Sequence, residues 1–480
     1  MKYLNKIVPV LFCPFALAAQ NYSAVNGSLY TGSLSVHNNP SSIVNTPMKF
    51  DLAVLGVQDK HTTNVVKVFK YSLLSNPKGS QYLFEEGDFS RYANVNLNIN
   101  LLNTRIAISR KRAIAFGANF KSYLFGKTSP YHFIDTISQF AHFFSLNEGK
   151  ENMRLDLFTS SWAELYASYG QTVFEDASYR LNAGVTLKIN RGLSGAFAKL
   201  ANGNFLRTGS SNPVIYEATA ADIDFGYSSN YDLLNDNKTS RENFNDFVSF
   251  TETGFSFDAG VEFLIKPTAA DYPEEEESFF DYDWKIGVSA LDIGYGQYHF
   301  GRYSIGNRVL FPGTTDPVLD SKFDSTITGL GPFKDSLSTL YQFPGTYAGK
   351  FRITHPSRLV LNVDRFITDA FFINADISFD LSLATTNKDQ LRVKDMNLLT
   401  ITPRWETKKK AFYLPVHLNN YNQLWAGGAV RIGPVLFGVH NWSNIFSKNK
   451  ITRGGGYIAI LLRASDITGR RADKRFACPD

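Results

Sequence analysis

The stretch Asn94-Val95-Asn96-Leu97-Asn98-Ile99-Asn100-Leu101 decides the fold class. Every odd position is aliphatic and every even one is a neutral amide. Successive side chains of a strand point to opposite faces, so this segment has one apolar face and one polar face. An Asn turned toward hydrocarbon would leave its amide without partners, at a cost on the order of a few kcal/mol. Val95, Leu97, Ile99 and Leu101 are therefore expected to meet lipid, and Asn96, Asn98 and Asn100 to face the inside of a barrel.

The same alternation recurs along the chain. Leu181, Ala183, Val185, Leu187 and Ile189 oppose Arg180, Asn182, Thr186, Lys188 and Asn190. Phe255, Phe257, Ala259, Val261, Phe263 and Ile265 oppose Ser256, Asp258 and Glu262. Phe371, Ile373, Ala375, Ile377, Phe379 and Leu381 oppose Asn374, Asp376, Ser378 and Asp380, and Leu399, Ile401, Pro403 and Trp405 oppose Thr400, Thr402, Arg404 and Glu406. A soluble sandwich also alternates, but its polar face tends toward Lys and Glu. Here that face is mostly Asn, Asp, Ser, Thr and Gly. The apolar face carries rows of Phe and Ile over segments as long as a tilted strand needs to cross a bilayer.

Composition agrees. The 480 residues include 40 Phe and 24 Tyr but only four Met and two Cys, a balance suited to strands. Beyond residue 20 no uninterrupted apolar run approaches the roughly 20 residues of a membrane-spanning helix. The expected fold is all-β: a single antiparallel transmembrane β-barrel of about sixteen strands, fourteen being the alternative, with long external loops and short periplasmic turns. The candidate strands centre on 48–57, 94–108, 112–124, 163–171, 179–190, 194–202, 215–227, 254–265, 284–298, 350–364, 371–383, 397–406, 411–418, 424–432, 435–442 and 456–463. Two connections strain this scheme: 191–193 is short for an outer loop, and 266–283 is long for a periplasmic turn. Pro130 to Leu146, with Phe133, Ile137, Phe140 and Phe144 at helical spacing, predicts a short helix in an outer loop.

The N-terminus carries the pattern of an export signal: Lys2 and Lys6, an apolar run from Ile7 to Ala19, and small residues at its end. The expected division is a signal peptide at 1–19, a periplasmic segment at 20–47, the barrel at 48–463 and a periplasmic tail at 464–480. Removal of Cys13 with the signal leaves Cys478 as the sole thiol and excludes an intramolecular disulfide. The formal charge is +5, two units of it in the export segment, which gives no electrostatic basis for binding nucleic acid.

Motifs for chemistry are sparse. The eight histidines show no metal spacing, no G-x-S-x-G elbow is present, and Gly454-Gly455-Gly456 precedes a strand rather than a helix. His142 near Ser138 or Ser145 is the weak exception. The expectation is a non-enzyme without cofactor or metal. Candidate lumen-lining residues are Asn96, Asn98, Asn100, Arg180, Lys188, Asp258, Glu262, Asp376, Asp380 and Arg404. Glu274, Glu275, Glu276 and Glu277 form an acidic loop that reads as a cation or partner site, or as a solvated loop.

Phe255-Ser256-Phe257-Asp258-Ala259-Gly260-Val261 followed by Trp284-Lys285-Ile286-Gly287-Val288-Ser289-Ala290-Leu291-Asp292-Ile293-Gly294 resembles a hairpin of Bacteroidetes outer-membrane barrels. Arg431 to Gly438 and Gly195 to Gly203 are similar to other strands of that uncharacterised group, which is related in style to the PorP/SprF proteins of type IX secretion and gliding. The tail from Asp466 to Asp480 is similar to the start of a linker to an OmpA-type domain, but Arg470, Arg471, Lys474 and Arg475 stand where calcium would need carboxylates. The resemblance implies an outer-membrane scaffold or secretion-associated component, monomeric, whose partners are outer-membrane lipid and other envelope or secretion proteins. The alternative is a porin-like channel or a transporter of small solutes or hydrophobic ligands, because barrels of this strand number usually enclose an aqueous lumen.

Overall fold

The computed structural model describes residues 22–72, 75–208, 214–249, 251–267, 282–368, 370–381, 390–446, 448 and 451–466. The expected signal peptide, the acidic loop Glu274 to Glu277 and most of the C-terminal tail lie outside them.

The chain closes into an antiparallel barrel of fourteen strands. In order the wall positions are Met48–Thr63, Gly87–Ser109, Arg112–Phe133, Met153–Glu175, Tyr179–Arg207, the pair Tyr216–Tyr227 and Glu252–Ile265, Trp284–His299, the pair Lys350–Thr354 and Arg358–Thr368, Phe371–Asp380, Leu398–Glu406, the pair Lys410–Tyr413 and Val416–Asn419, the pair Leu424–Ala426 and Gly428–Ile432, Val435–Val439, and the pair Arg453–Gly454 and Gly456–Asp466. Closure runs through the first strand, where Val57 pairs with Ile458 on one side and with Ile99 on the other.

The count of sixteen is corrected to fourteen at two places. The segments 179–190 and 194–202 are one strand, bent at a register shift where Trp162 opposes Gly192 and Ser161 opposes Ser194. A bulge of this kind bends a strand without ending it, which is why 191–193 looked too short for a loop. The segments 215–227 and 254–265 share one wall position, since Tyr216–Tyr227 pairs with one half of Tyr179–Arg207 and Glu252–Ile265 with the other.

One end of the barrel has tight connections, such as 110–111, 176–178 and 433–434. The other end carries longer ones, including 134–152 and 300–349. The helix expected over Pro130 to Leu146 is shorter, Phe140–Leu146, because Pro130 still pairs with Ser90 in the wall.

Side chains partition as a bilayer demands. Leu165, Leu187, Ile189, Phe255, Phe257, Ile373, Ile401, Phe437 and Ile458 are exposed on the outside. Between them, residues such as Asn98, Asn182, Asp258, Asn374 and Thr402 are buried on the inside. No helix among the described residues is long and apolar enough to cross a membrane; the apolar belt belongs to the strands, as in barrels that cross with every backbone group paired.

The interior is filled. Residues 22–47, expected in the periplasm, are corrected to a lumenal plug: Ala24, Leu34, Val36, Ser33, Ser41 and Ile43 are each buried to 1% exposure or less. The plug consists of three short 3-10 turns, Ser23–Val25, Gly32–His37 and Pro40–Val44. The last is started by Asn39, whose side chain accepts from the Ser41 amide, with Pro40 at the first position.

Candidate functional site

A row of wall glycines seats the plug. Gly170 pairs with Gly184, and Gly184 with Gly260, across three neighbouring strands. A Cβ at Gly170 would lie 2.7 Å from Ile43 Cγ1, one at Gly184 would lie 2.5 Å from the Ser41 nitrogen, and one at Gly260 would meet Asn39. Close approach of two backbones requires residues without side chains.

Polar wall groups then hold the plug backbone. Lys285 Nζ donates to the Gly27 carbonyl at 2.6 Å, Ser289 Oγ to Asn38 O at 2.6 Å and Arg358 Nη2 to His37 O at 3.0 Å. Arg105 donates to Ile43 O at 2.5 Å and Met48 O at 2.7 Å. Plug side chains answer: Tyr22 Oη donates to Asn100 Oδ1 at 2.9 Å, Asn45 Nδ2 to Glu262 Oε2 at 2.5 Å, and Ser28 to Glu406. The interface thus combines hydrogen bonds, each worth only about 1 kcal/mol net, with apolar contacts: Tyr22, Ala24, Val25 and Leu34 on Tyr413, Tyr457 and Leu461, Leu29 and Tyr30 with Leu264, Tyr282 and Phe372, and Val36 and Ile43 on Ala113, Ala115 and Tyr166. His37 lies 3.2 Å from Asn100 Nδ2. Burial foremost, then the charges of Lys121 and Lys188, pull its imidazole down to about 3 from the ordinary 6.5.

Two buried charge clusters lie beside the plug. In one, Lys121 Nζ meets Asp292 at 2.7 Å and Glu164 at 3.1 Å, while Lys188 Nζ meets Asp258 and Asp292, each at 2.7 Å. In the other, Arg404 Nη2 donates to Asp364 Oδ2 at 2.9 Å and its Nε to Glu406 Oε2 at 3.1 Å, with Tyr413 Oη on Glu406 at 2.9 Å. Toward the loop end the lumen becomes aromatic: Tyr123, Phe125, Phe158, Trp162, Phe197, Tyr298 and Phe351 cluster with Val393, which enters from the connection after Phe371–Asp380.

The residues singled out in the sequence fall into three groups. Asn100, Arg180, Glu262 and Arg404 touch the plug, Arg180 through Asn45 at 2.7 Å and Arg404 through the Gly27 carbonyl at 3.3 Å. Lys188 and Asp258 belong to the first charge cluster. Asn96 donates to Asp395 at 2.8 Å, Asp376 accepts from Asn362 at 3.4 Å, and Asn98 and Asp380 are buried on the inner wall. His142 and Ser145 lie in the outer helix, where Ser145 Oγ donates to the His142 carbonyl at 3.2 Å, a turn contact. Sequence reasoning missed Lys121, Glu164, Asp51, Arg105 and Asp364. Lys121 stands between the inward Asn119 and Tyr123, beyond the small inward residues Ala113 and Ala115, and the row Gly170, Gly184, Gly260 at inward positions was a readable sign of an occupant.

Fold and lumen together define a plugged transmembrane β-barrel. The chain belongs to a family of unknown function, DUF5723, which matches residues 40–440. Among solved structures it is similar to a Pseudomonas aeruginosa FadL homologue (11% identity, 92% of this chain and 97% of that one, TM-score 0.40). It is also similar to the Ralstonia pickettii toluene transporter TbuX (11%, 93% and 95%, 0.37) and the P. putida toluene transporter TodX (11%, 90% and 93%, 0.39). No curated protein matches the chain.

Proposed function

We propose that this protein is a transporter of small solutes in the cell outer membrane, closed at rest by residues 22–47. The observation that carries this reading is the polar character of the plug seat. Beside its apolar contacts, the segment is held to the wall by many hydrogen bonds, which water can replace during displacement. Solute would pass between the plug and the charged wall once the 3-10 turns lift from the glycine row.

Planar-bilayer conductance tests it. Deleting residues 24–44 from the full chain should convert a silent barrel into one with stable single-channel steps, while the intact chain stays closed. A deletion variant that folds, by heat-modifiable migration, yet remains silent would refute gating by the plug.

A scaffold for secretion or gliding proteins, the role that the PorP/SprF resemblance implies, is the second reading. It is favoured by the loop end, where Phe144, Tyr216, Ile305, Leu319, Leu337, Leu340 and Tyr341 form a further apolar core. A body of that kind offers a shaped surface to a partner. Affinity capture from native membranes separates the two: a stoichiometric partner together with a silent deletion variant favours the scaffold.

A further inference from the structure

At the loop end a cavity of about 510 Å³ opens between the ends of Met48–Thr63 and Arg453–Gly454 and the connections that carry Gln423 and Asn441. Small-molecule sites span about 300–1,000 Å³, so this one has room for a ligand. Among the described residues that line it, Phe89 alone is wholly apolar; the others are amides, hydroxyls and charged groups. The polar lining is held in place. Thr62 Oγ1 donates to Gln423 Oε1 at 3.0 Å and Gln423 Nε2 to Tyr92 Oη at 2.7 Å, while Asn441 Oδ1 accepts from the Ser443 amide at 3.0 Å.

Arg453 is the lining residue whose bonding is left open. It pairs in register with Thr62, which is fully buried on the inner wall, so the two side chains share that face. Among the described residues its guanidinium has no hydrogen-bond or carboxylate partner, and its Nε is buried. A buried donor without a partner costs free energy, so the fork is built to meet something that enters the cavity. The carboxylate in the lining, Glu85, is matched by Lys67. The cavity therefore keeps one uncompensated positive charge. Its surroundings add to this: Val68 bridges Ile451, and the Lys70 amide donates to Lys448 O at 2.9 Å. The paired segments 66–71 and 448–453 contain no Asp or Glu, whereas Lys70 and Lys448 stand exposed on them. Such an approach concentrates anions at the cavity.

The chemistry of the lining restricts the ligand. A cation would be repelled by Arg453, and a hydrocarbon would leave the fork unpaired. A guanidinium takes a carboxylate through two parallel N–H···O bonds. One uncompensated charge balances a carboxylate, whereas a phosphate monoester carries about −1.5 to −2 near neutrality. The remaining groups suit hydroxyls. The amides of Gln423 and Asn441 each keep a second N–H beyond those on Tyr92 Oη and Arg453 O, and the hydroxyls of Ser443 and Thr452 donate or accept.

We propose that the loop-end cavity binds a small hydroxylated carboxylate, a hydroxy acid or sugar acid, with the carboxylate on Arg453 and the hydroxyls on Gln423, Asn441, Ser443 and Thr452. This names the solute class for the transport reading above; passage through the barrel rests on that reading, and binding does not. The test is calorimetric titration of the detergent-purified full chain with sodium D-gluconate, with D-glucose and inorganic phosphate as the other two arms. Saturable gluconate binding is expected, together with none for glucose, which has a like carbon skeleton without the carboxylate. Arg453→Gln should weaken gluconate about tenfold or more. Glu85→Gln, which leaves Lys67 without its counter-charge, should tighten it several-fold at low salt, so a second variant decides the matter if the first does not fold. Heat-modifiable migration confirms that each variant is a closed barrel. No gluconate binding up to about 10 mM, equal binding of glucose, tighter binding of phosphate, or unchanged affinity in both folded variants would each overturn the proposal. A folded chain lacking residues 24–44 that binds gluconate yet stays silent in bilayers would remove the transport reading and leave the site standing.

Discussion

Leu97 and Asn98 are neighbours in sequence and opposites in surroundings: Asn98 is buried at 2% exposure while Leu97 stands on the outer face. Leu97→Arg should therefore destabilise the barrel by about 2–4 kcal/mol, and Asn98→Arg by far less. Unfolding of both variants in liposomes checks this, and an equal or greater loss at Asn98 would reverse the faces. His37 makes the second residue-scale prediction. It is neutral in the docked plug and takes up a proton below about pH 6.5 once released, so docking is strongest above that pH and weakens as pH falls toward 3, by up to about 1.4 kcal/mol per unit. Protease accessibility of the plug should rise on acidification, and His37→Gln should remove part of that slope. A plug whose accessibility is the same at pH 5 and pH 7.5 would contradict the assignment.

The elements carry their own lesson in Gly170, Gly184 and Gly260. Gly184→Leu would place a side chain where the Pro40–Val44 turn lies, leaving the outer face of Tyr179–Arg207 untouched. The expected outcome is a folded barrel with an undocked plug, seen as new conductance steps and cleavage within residues 22–47; a silent, protease-resistant variant would argue that the plug can slide to another seat. Much of this architecture was legible in the sequence because period two is a local property. Asn94 to Leu101 and Phe255 to Ile265 announce their faces without reference to any other residue. What stayed hidden was non-local. The bulge that merges 179–190 with 194–202 depends on the partner strand at Ser161 and Trp162. The plug lacks any periodicity of its own, and its polar atoms are satisfied partly by the wall and partly within short turns such as Thr31 on Ser28 and Ser41 on Asn39. The pairing of Lys121 with Asp292 joins strands far apart in sequence, so only the inward position of each residue, and not its partner, could be read.

At the scale of the whole molecule, the wall is taller than a bilayer requires. Tyr179–Arg207 alone has 29 residues, against the 9–11 that a tilted strand needs. The apolar belt lies along its first half, and the second half joins the loop-end core. Inside, one charge cluster joins Lys121, Glu164, Lys188, Asp258 and Asp292 from five consecutive wall positions, and the other joins Asp364 to Arg404 and Glu406. Asp292→Asn would leave Lys121 and Lys188 short of a shared counter-charge, and should cost about 3–5 kcal/mol. Loss of the heat-modifiable form at a lower temperature is the measurement, and a variant as heat-resistant as the parent would show that Glu164 and Asp258 suffice.

The plug is attached directly to Met48–Thr63, the strand whose pairing with Gly456–Asp466 seals the cylinder. A segment tethered to the closing seam lies beside the last edges to meet, so laying it against the curling sheet would bring it into place as the wall closes. The segment and the closing strand would then settle together, with 22–47 serving as the form around which Glu262, Lys285, Arg358 and Glu406 are gathered. On this view a chain lacking the segment would close more slowly in liposomes even where the finished barrel is equally stable.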